Sequence, residues 1–283
     1  MSVPPSYDDL GKSASDLFSK GYGYGNAKLS VTTKSANGVQ FKSTGQSAND
    51  TGKVSGTFET QYEWKEYGLT FRESWKTDNV LATNISVQDQ LVDGLSLTFD
   101  TSFCPSTGKK SAVIEAGYKR SYVNVNGDVA LDVGGPTVHG SMVVGYEGWL
   151  AGYHGGYDTG KGRMTASNFS LGYESSDFTL TSSVNNGEEF TGSLYHKVSE
   201  SIEAGTELSW ASGSNTTSFV VGGKYNLDDG ASVRAKVNHK AQIGLGYTQS
   251  LRDGVKLTLS GLVDAKNLNQ PGHKIGLSLE WEA

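Results

Sequence analysis

The sequence predicts an all-β chain closed into a transmembrane β-barrel of about 19 strands, preceded by one short amphipathic helix. Three observations carry that expectation. Glycine and tyrosine are abundant while proline is scarce, the hydrophobic period switches from helical to two near residue 26, and the later segments have one apolar and one polar face.

The 283 residues include 37 Gly, 14 Tyr and only 5 Pro, a composition of strands and turns rather than long helices. No run of about 18 apolar residues occurs, which excludes a helical membrane protein but not a barrel that alternates lipid-facing and water-facing side chains. Asp8, Asp9, Lys12 and Asp16 interrupt the start and no arginine precedes Arg72, so neither a secretory peptide nor an Arg-rich presequence is expected. Any targeting signal would be internal. The one cysteine, Cys104, provides neither an intrachain disulfide nor a multi-thiolate metal site. A formal net charge of -6 gives no general attraction for nucleic acid.

Residues 1–25 are expected to form a helical N-terminal segment with a glycine hinge, and residues 26–283 the barrel. Ser6 and Asp9 have capping-box spacing, and Tyr7, Leu10, Ala14, Leu17 and Phe18 recur at helical intervals, so the helix is predicted over 6–20. Gly21, Gly23 and Gly25 follow, permitting sharp changes of direction that read as a hinge. From about residue 26, segments alternate strictly. Val54, Gly56, Phe58, Tyr62 and Trp64 oppose Ser55, Thr57, Glu59, Gln61, Glu63 and Lys65, and Val129, Leu131 and Val133 oppose Asp128 and Asp132. Turn-rich clusters such as SANG, STGK, LDDG and LRDG separate them.

Segments of about ten residues have the length that a tilted strand needs to cross hydrocarbon, and closing so large a sheet removes its edges. Trp64, Trp75, Trp149, Trp210 and Trp281 share the apolar parity near segment ends, as an aromatic belt requires. An apolar exterior around a polar interior makes a tube, and barrels of about 16 to 18 strands already enclose water. Small hydrophilic solutes would pass. The polar parity mixes Lys28, Lys42, Arg72, Lys224, Arg234 and Lys236 with Glu59, Asp100, Asp128, Asp132, Glu203 and Glu207, so selectivity is expected to be weak.

No catalytic set emerges. GGYDTGKG has the glycine and lysine spacing of a phosphate loop, but Gly162 replaces the required Ser or Thr and no helix follows, so it reads as a turn. The five histidines show no metal-ligand spacing, so no metal or cofactor is predicted. A soluble β-sandwich binding module and an all-β hydrolase remain open as alternatives, and both predict a water-soluble monomer.

PPSYDDLGKSASDLFSKGYGYG at the start, GYEGWLAGY at 145–153, YNLDDGASVRAKVNHKAQIGLGY at 225–247 and GHKIGLSLEWEA at the end resemble the voltage-dependent anion channel (mitochondrial porin) family. LTFRESWKTDN and VQDQL extend the likeness over the whole chain. Barrels of that family are already known to have 19 strands, so the count is not independent of it. An odd count implies a parallel closing pair.

The resemblance implies a voltage-gated, weakly anion-selective pore of the outer mitochondrial membrane, with the helix inside the pore and Gly21, Gly23 and Gly25 as its tether. It implies permeation by ATP, ADP, phosphate and small ions, with Lys12 and Lys20 as nucleotide contacts. It also implies a nicotinamide-nucleotide region at Gln242, Ile243 and Gly244 and at Ser260, Gly261, Leu262, Val263 and Asp264. Glu73 shares parity with Leu69, Phe71 and Trp75, which places a carboxylate on the lipid face. By resemblance it takes part in gating, lipid contact and hexokinase docking. Apoptosis-regulating proteins and further copies of the chain are the other implied partners.

Overall fold

The computed structural model describes residues 3–131, 135–227 and 230–283. Asp132 and Val133 of one alternating segment, and Asp228 and Asp229 of the LDDG turn, lie outside the described residues. Among the described residues nineteen strands form one sheet. They are β1 (Asn26–Lys34), β2 (Gln40–Ala48), β3 (Val54–Trp64), β4 (Leu69–Lys76), β5 (Leu81–Gln88), β6 (Leu95–Cys104), β7 (Lys109–Arg120), β8 (Val123–Leu131), β9 (Thr137–Tyr146) and β10 (Trp149–Asp158). The second half comprises β11 (Arg163–Glu174), β12 (Phe178–Asn185), β13 (Glu189–Lys197), β14 (Ile202–Ala211), β15 (Thr216–Asn226), β16 (Ala231–Asn238), β17 (Gln242–Arg252), β18 (Val255–Asp264) and β19 (Lys274–Glu282).

Each strand pairs antiparallel with its neighbours in sequence, and β1 closes on β19 in parallel. The ring has no free edge. Register keeps like with like: Leu29 lies between Gly45 and Leu279, while Lys28 on the other face lies between Gln46 and Ser278. A slip of one residue would turn every polar side chain toward lipid, so the alternation itself fixes the pairing.

The apolar parity faces outward. Leu29, Phe58, Ile114, Met142, Leu180 and Val221 are all exposed, the reverse of a soluble core. A soluble sandwich is thereby contradicted. The five tryptophans sit within one residue of a strand end, and strand direction sorts them between the mouths. Trp64, Trp149 and Trp281 lie at the mouth where β1 ends, and Trp75 and Trp210 at the mouth where β1 begins. Both belts are present.

Two local expectations need correction. Lys65 does not continue the inner face of β3, because the strand ends at Trp64 and Lys65–Tyr67 turn as a 3-10 helix. The predicted helix over 6–20 is also interrupted. A 3-10 turn covers Tyr7–Asp9, Gly11 takes a left-handed conformation with φ 74°, and α1 runs only from Lys12 to Ser19. Glycine reaches that conformation without a Cβ clash, so the chain breaks there. Ser6 makes no capping bond to a backbone amide; its hydroxyl instead donates to Asp9 Oδ2 at 2.6 Å.

Candidate functional site

The barrel interior is the candidate site, and the N-terminal segment crosses it from one mouth to the other. Gly25 is tied to the mouth where β1 begins, through its amide to the Ile275 carbonyl at 3.1 Å and its carbonyl to Asn49 N at 2.8 Å. Val3 and Pro4 lie at the opposite mouth, beside the β7–β8 and β9–β10 turns. There the side-chain amide of Asn124, itself buried, donates to the Pro4 carbonyl at 3.0 Å.

Between these ties the segment packs on the wall. The Tyr7 ring stacks on His154 with centroids 5.5 Å apart, and His154 stacks on His139, whose Nδ1 lies 2.8 Å from Asp128 Oδ2. A cavity of about 330 Å³ remains there, with Asp8, Glu115 and Lys119 also on its lining. Helix α1 presents Ala14, Leu17 and Phe18 to β13, β14 and β15, where Tyr195 and Val220 complete a small apolar core. Leu17 is 2% exposed. A helix of eight residues is too short to persist in water by itself, so burial against the wall sustains it.

The wall is shaped to receive this segment. A Cβ at Gly152 would meet Leu10 and Tyr7, one at Gly205 would meet Leu17, and one at Gly246 would meet the Gly21 carbonyl. Gly276 lies against the Gly23 carbonyl and Gly244 against the Tyr24 hydroxyl in the same way. These are strand glycines at points of close backbone approach. At the end of α1, Arg234 Nη1 donates to the Asp16 carbonyl at 3.3 Å and Lys236 Nζ to the Phe18 carbonyl at 2.6 Å. The Lys236 ammonium also lies 4.3 Å from the Tyr22 ring centroid. Burial pushes the Tyr22 phenol up to about 12 and raises that of Tyr24 as well, so both remain neutral rings.

Lys12 and Lys20 both face the water of the lumen, and each is paired within the segment. Lys12 Nζ reaches Asp9 Oδ1 at 2.5 Å, and Lys20 Nζ reaches Asp16 Oδ2 at 2.7 Å. The bond from Lys12, with that from Ser6, holds the Asp9 carboxyl below its ordinary range, and Asp9 in turn raises Lys12. Gly21 and Gly25 adopt left-handed φ of 82° and 70°, whereas Gly23 does not.

The Gln242–Gly244 and Ser260–Asp264 stretches form the adjacent ends of β17 and β18. Gln242, Gly244, Ser260, Leu262 and Asp264 share the lumen face, whereas Ile243, Gly261 and Val263 point to lipid. Gly244 and Ser260 lie beneath the linker, and Asp264 Oδ1 accepts the Lys266 amide at 3.0 Å. Glu73 stands on the outer face of β4 between Thr60 and Thr83, and the ladders on both sides of it run without a register shift. No bulge turns it inward. GGYDTGKG spans the end of β10 and the β10–β11 turn, where Asp158 accepts the Lys161 amide at 2.9 Å.

Residue spacing missed several contacts. Val143 and Leu150 are apolar residues on the polar parity, buried on the two strands that the Tyr7–Asp9 turn contacts. Their break in the alternation was the available signal. Asn124, His154 and the linker-facing glycines gave none, because small and polar residues are ordinary on a lumen face.

A description of the eukaryotic porin family matches residues 3–276, nearly the whole chain. The chain belongs to the eukaryotic porin family. A Xenopus laevis protein named "Non-selective voltage-gated ion channel VDAC2" is 57% identical over 281 residues, covering 99% of this porin and 100% of the relative. The Homo sapiens protein of the same name is 56% identical over 283 residues, covering 100% and 96%. Among solved structures, a triple mutant of the Rhodopseudomonas blastica porin aligns over 92% of this porin and 96% of its own chain, at 12% identity and a TM-score of 0.41. At that score the likeness carries no weight, and the fold rests on the strand pairing.

Proposed function

We propose that this porin is a voltage-gated pore of the outer mitochondrial membrane through which ATP, ADP, phosphate, other small hydrophilic metabolites and ions diffuse down their gradients. One observation carries the reading: a closed barrel with a polar interior holds a separately tethered, charged segment inside that interior. Moving one charge through the full field is worth about 2.3 kcal/mol per 100 mV, so displacing a few charges suffices to close the pore partway at tens of millivolts. A weak preference for anions rests on Arg234 and Lys236 at the end of the helix, since Lys12 and Lys20 are balanced by Asp9 and Asp16.

On this reading Lys12 and Lys20 meet permeating phosphates, with their ammonium groups exchanging between Asp9 or Asp16 and the solute. Gly21, Gly23 and Gly25 act as the tether, and the lumen side of Gln242–Gly244 and Ser260–Asp264 receives nicotinamide nucleotides. Glu73 works from the lipid side in gating and in docking hexokinase; apoptosis-regulating proteins and further copies of the chain are the other partners. In a planar bilayer under a salt gradient, stepped voltages should give large open steps, a small anion-directed reversal potential and reduced conductance at high voltage of either sign. Folded, inserted protein that does not conduct would refute the pore.

A further inference from the structure

We propose that Arg234 and Lys236 form a cationic clamp on the C-terminal end of α1, holding the N-terminal segment in its seated position and setting the voltage at which it leaves. The inference rests on the voltage-gated reading for its physiological meaning, while the clamp itself rests on geometry. The last carbonyls of any α-helix lack internal partners and carry its negative dipole end, so a cation placed there both satisfies and attracts them. In this barrel the cations come from the wall. Arg234 and Lys236 project two residues apart from the lumen face of β16; Lys236 donates to the Phe18 carbonyl, and Arg234 adds a second bond to the Asp16 carbonyl, which already accepts the Lys20 amide at 3.0 Å.

Arg234 is suited to that role by its surroundings. Its direct neighbours across the sheet are Lys224 and Gly246. Glu203, two strands away, is bound by Lys224, Nζ to Oε1 at 2.8 Å, so Arg234 feels that carboxylate only through its charge while its hydrogen bond goes to the helix. Gly246 contributes no side chain, and the linker backbone at Gly21 enters the space above it. Lys236 lies beside Gly222 and Gly244 and is covered by the faces of Tyr22 and Tyr24, a cation-π enclosure that only the seated linker provides. Unseating the segment therefore takes the helix carbonyl from each cation at once, and the tyrosine rings from Lys236. It also removes the wall that keeps α1 helical. Arg234 and Lys236 are positioning residues, acting on conduction through the helix they hold.

The test uses the full chain, refolded in lipid micelles for proteolysis and in planar bilayers for gating. A cation at a helix end is worth a factor of roughly two to five in the equilibrium between seated and unseated segment. Arg234→Gln should raise the rate of trypsin cleavage after Lys20 by that factor and lower the voltage of half-closure, and Arg234→Lys should restore much of both. Gly246→Val leaves every charge in place but blocks the linker, and should shift both readouts in the same direction without moving the reversal potential. Lys76→Gln removes a cation from the lumen face of β4, outside the β13, β14 and β15 strands on which α1 packs, and should move neither. An Arg234→Gln barrel with unchanged cleavage overturns the clamp whether or not the pore gates. A wild-type pore that never closes would instead refute the voltage-gated reading and leave the clamp to be judged by cleavage alone.

Discussion

Two stretches of the same barrel wall, β2–β5 and β13–β19, obey one hydrogen-bonding rule and have different interiors. Along β2–β5 the lumen side chains satisfy one another or the next strand: Arg72 donates to Gln61 at 2.9 Å and lies 3.6 Å from Glu59, and Asn84 donates to Asp100 of β6 at 2.6 Å. Along β13–β19 side chains have been removed where the N-terminal segment approaches, at Gly205, Gly244, Gly246 and Gly276, and cations project where its helix ends. A closed sheet supplies no asymmetry through its backbone. The receiving wall differs because glycine replaces bulk and because Arg234 and Lys236 find acceptors outside the wall.

The comparison breaks most readily at the helix. Leu17→Ala should cost the docked segment about 2 kcal/mol or more, because the side chain is almost fully buried, and cleavage after Lys20 should accelerate accordingly. Gly276→Val should cost roughly 1 to 3 kcal/mol by forcing the Gly23 carbonyl off the wall. Ser74→Val on the lumen face of β4, outside the β13, β14 and β15 seat of α1, should change seating by less than about 0.5 kcal/mol. Equal cleavage rates in the Gly276 and Ser74 variants would erase the distinction between the walls.

Glu73→Gln tests the outer face of the bare side. Removing a carboxylate from the lipid face should stabilise the barrel by roughly 1 kcal/mol in urea titrations from vesicles, with gating or hexokinase binding altered. Unchanged gating, lipid interaction and hexokinase binding would remove its proposed role. The smallest effect is set by pH. The Asp9 carboxyl is held below its ordinary value, so the bridge from Ser6 through Asp9 to Lys12 is intact above that value and is lost as pH falls through the lowered one. Spectra of the Lys12 ammonium should therefore stay constant from neutrality to about pH 4 and change only below it.

Much of this architecture is legible in the sequence. Alternation along segments such as Val54–Trp64 specifies strand, face and register together, because a period of two leaves one pairing that keeps Phe58 outside and Glu59 inside. Glu73 was placed by the same parity. The break at Gly11 is not legible there, since helical spacing of apolar residues continues across a glycine that turns left-handed beside Thr181 and Ser193 of the wall. The seat was illegible for a related reason. Gly205, Gly246 and Gly276 look like ordinary strand glycines until the opposing backbone is in view, and Arg234 looks like one more lumen charge.

The parallel seam between β1 and β19 has a consequence for how the molecule can be observed from outside. An odd number of spans puts the start of the first and the finish of the last at opposite mouths, which would separate the two ends of the chain by the thickness of the bilayer. Because residues 3–25 thread back through the lumen, Val3 emerges at the mouth where Ala283 ends, and Ala283 N is bonded there to the Thr32 carbonyl at 2.9 Å. A donor and acceptor dye on the two ends would thus report from one side of the membrane, and their energy transfer would fall whenever the thread is withdrawn.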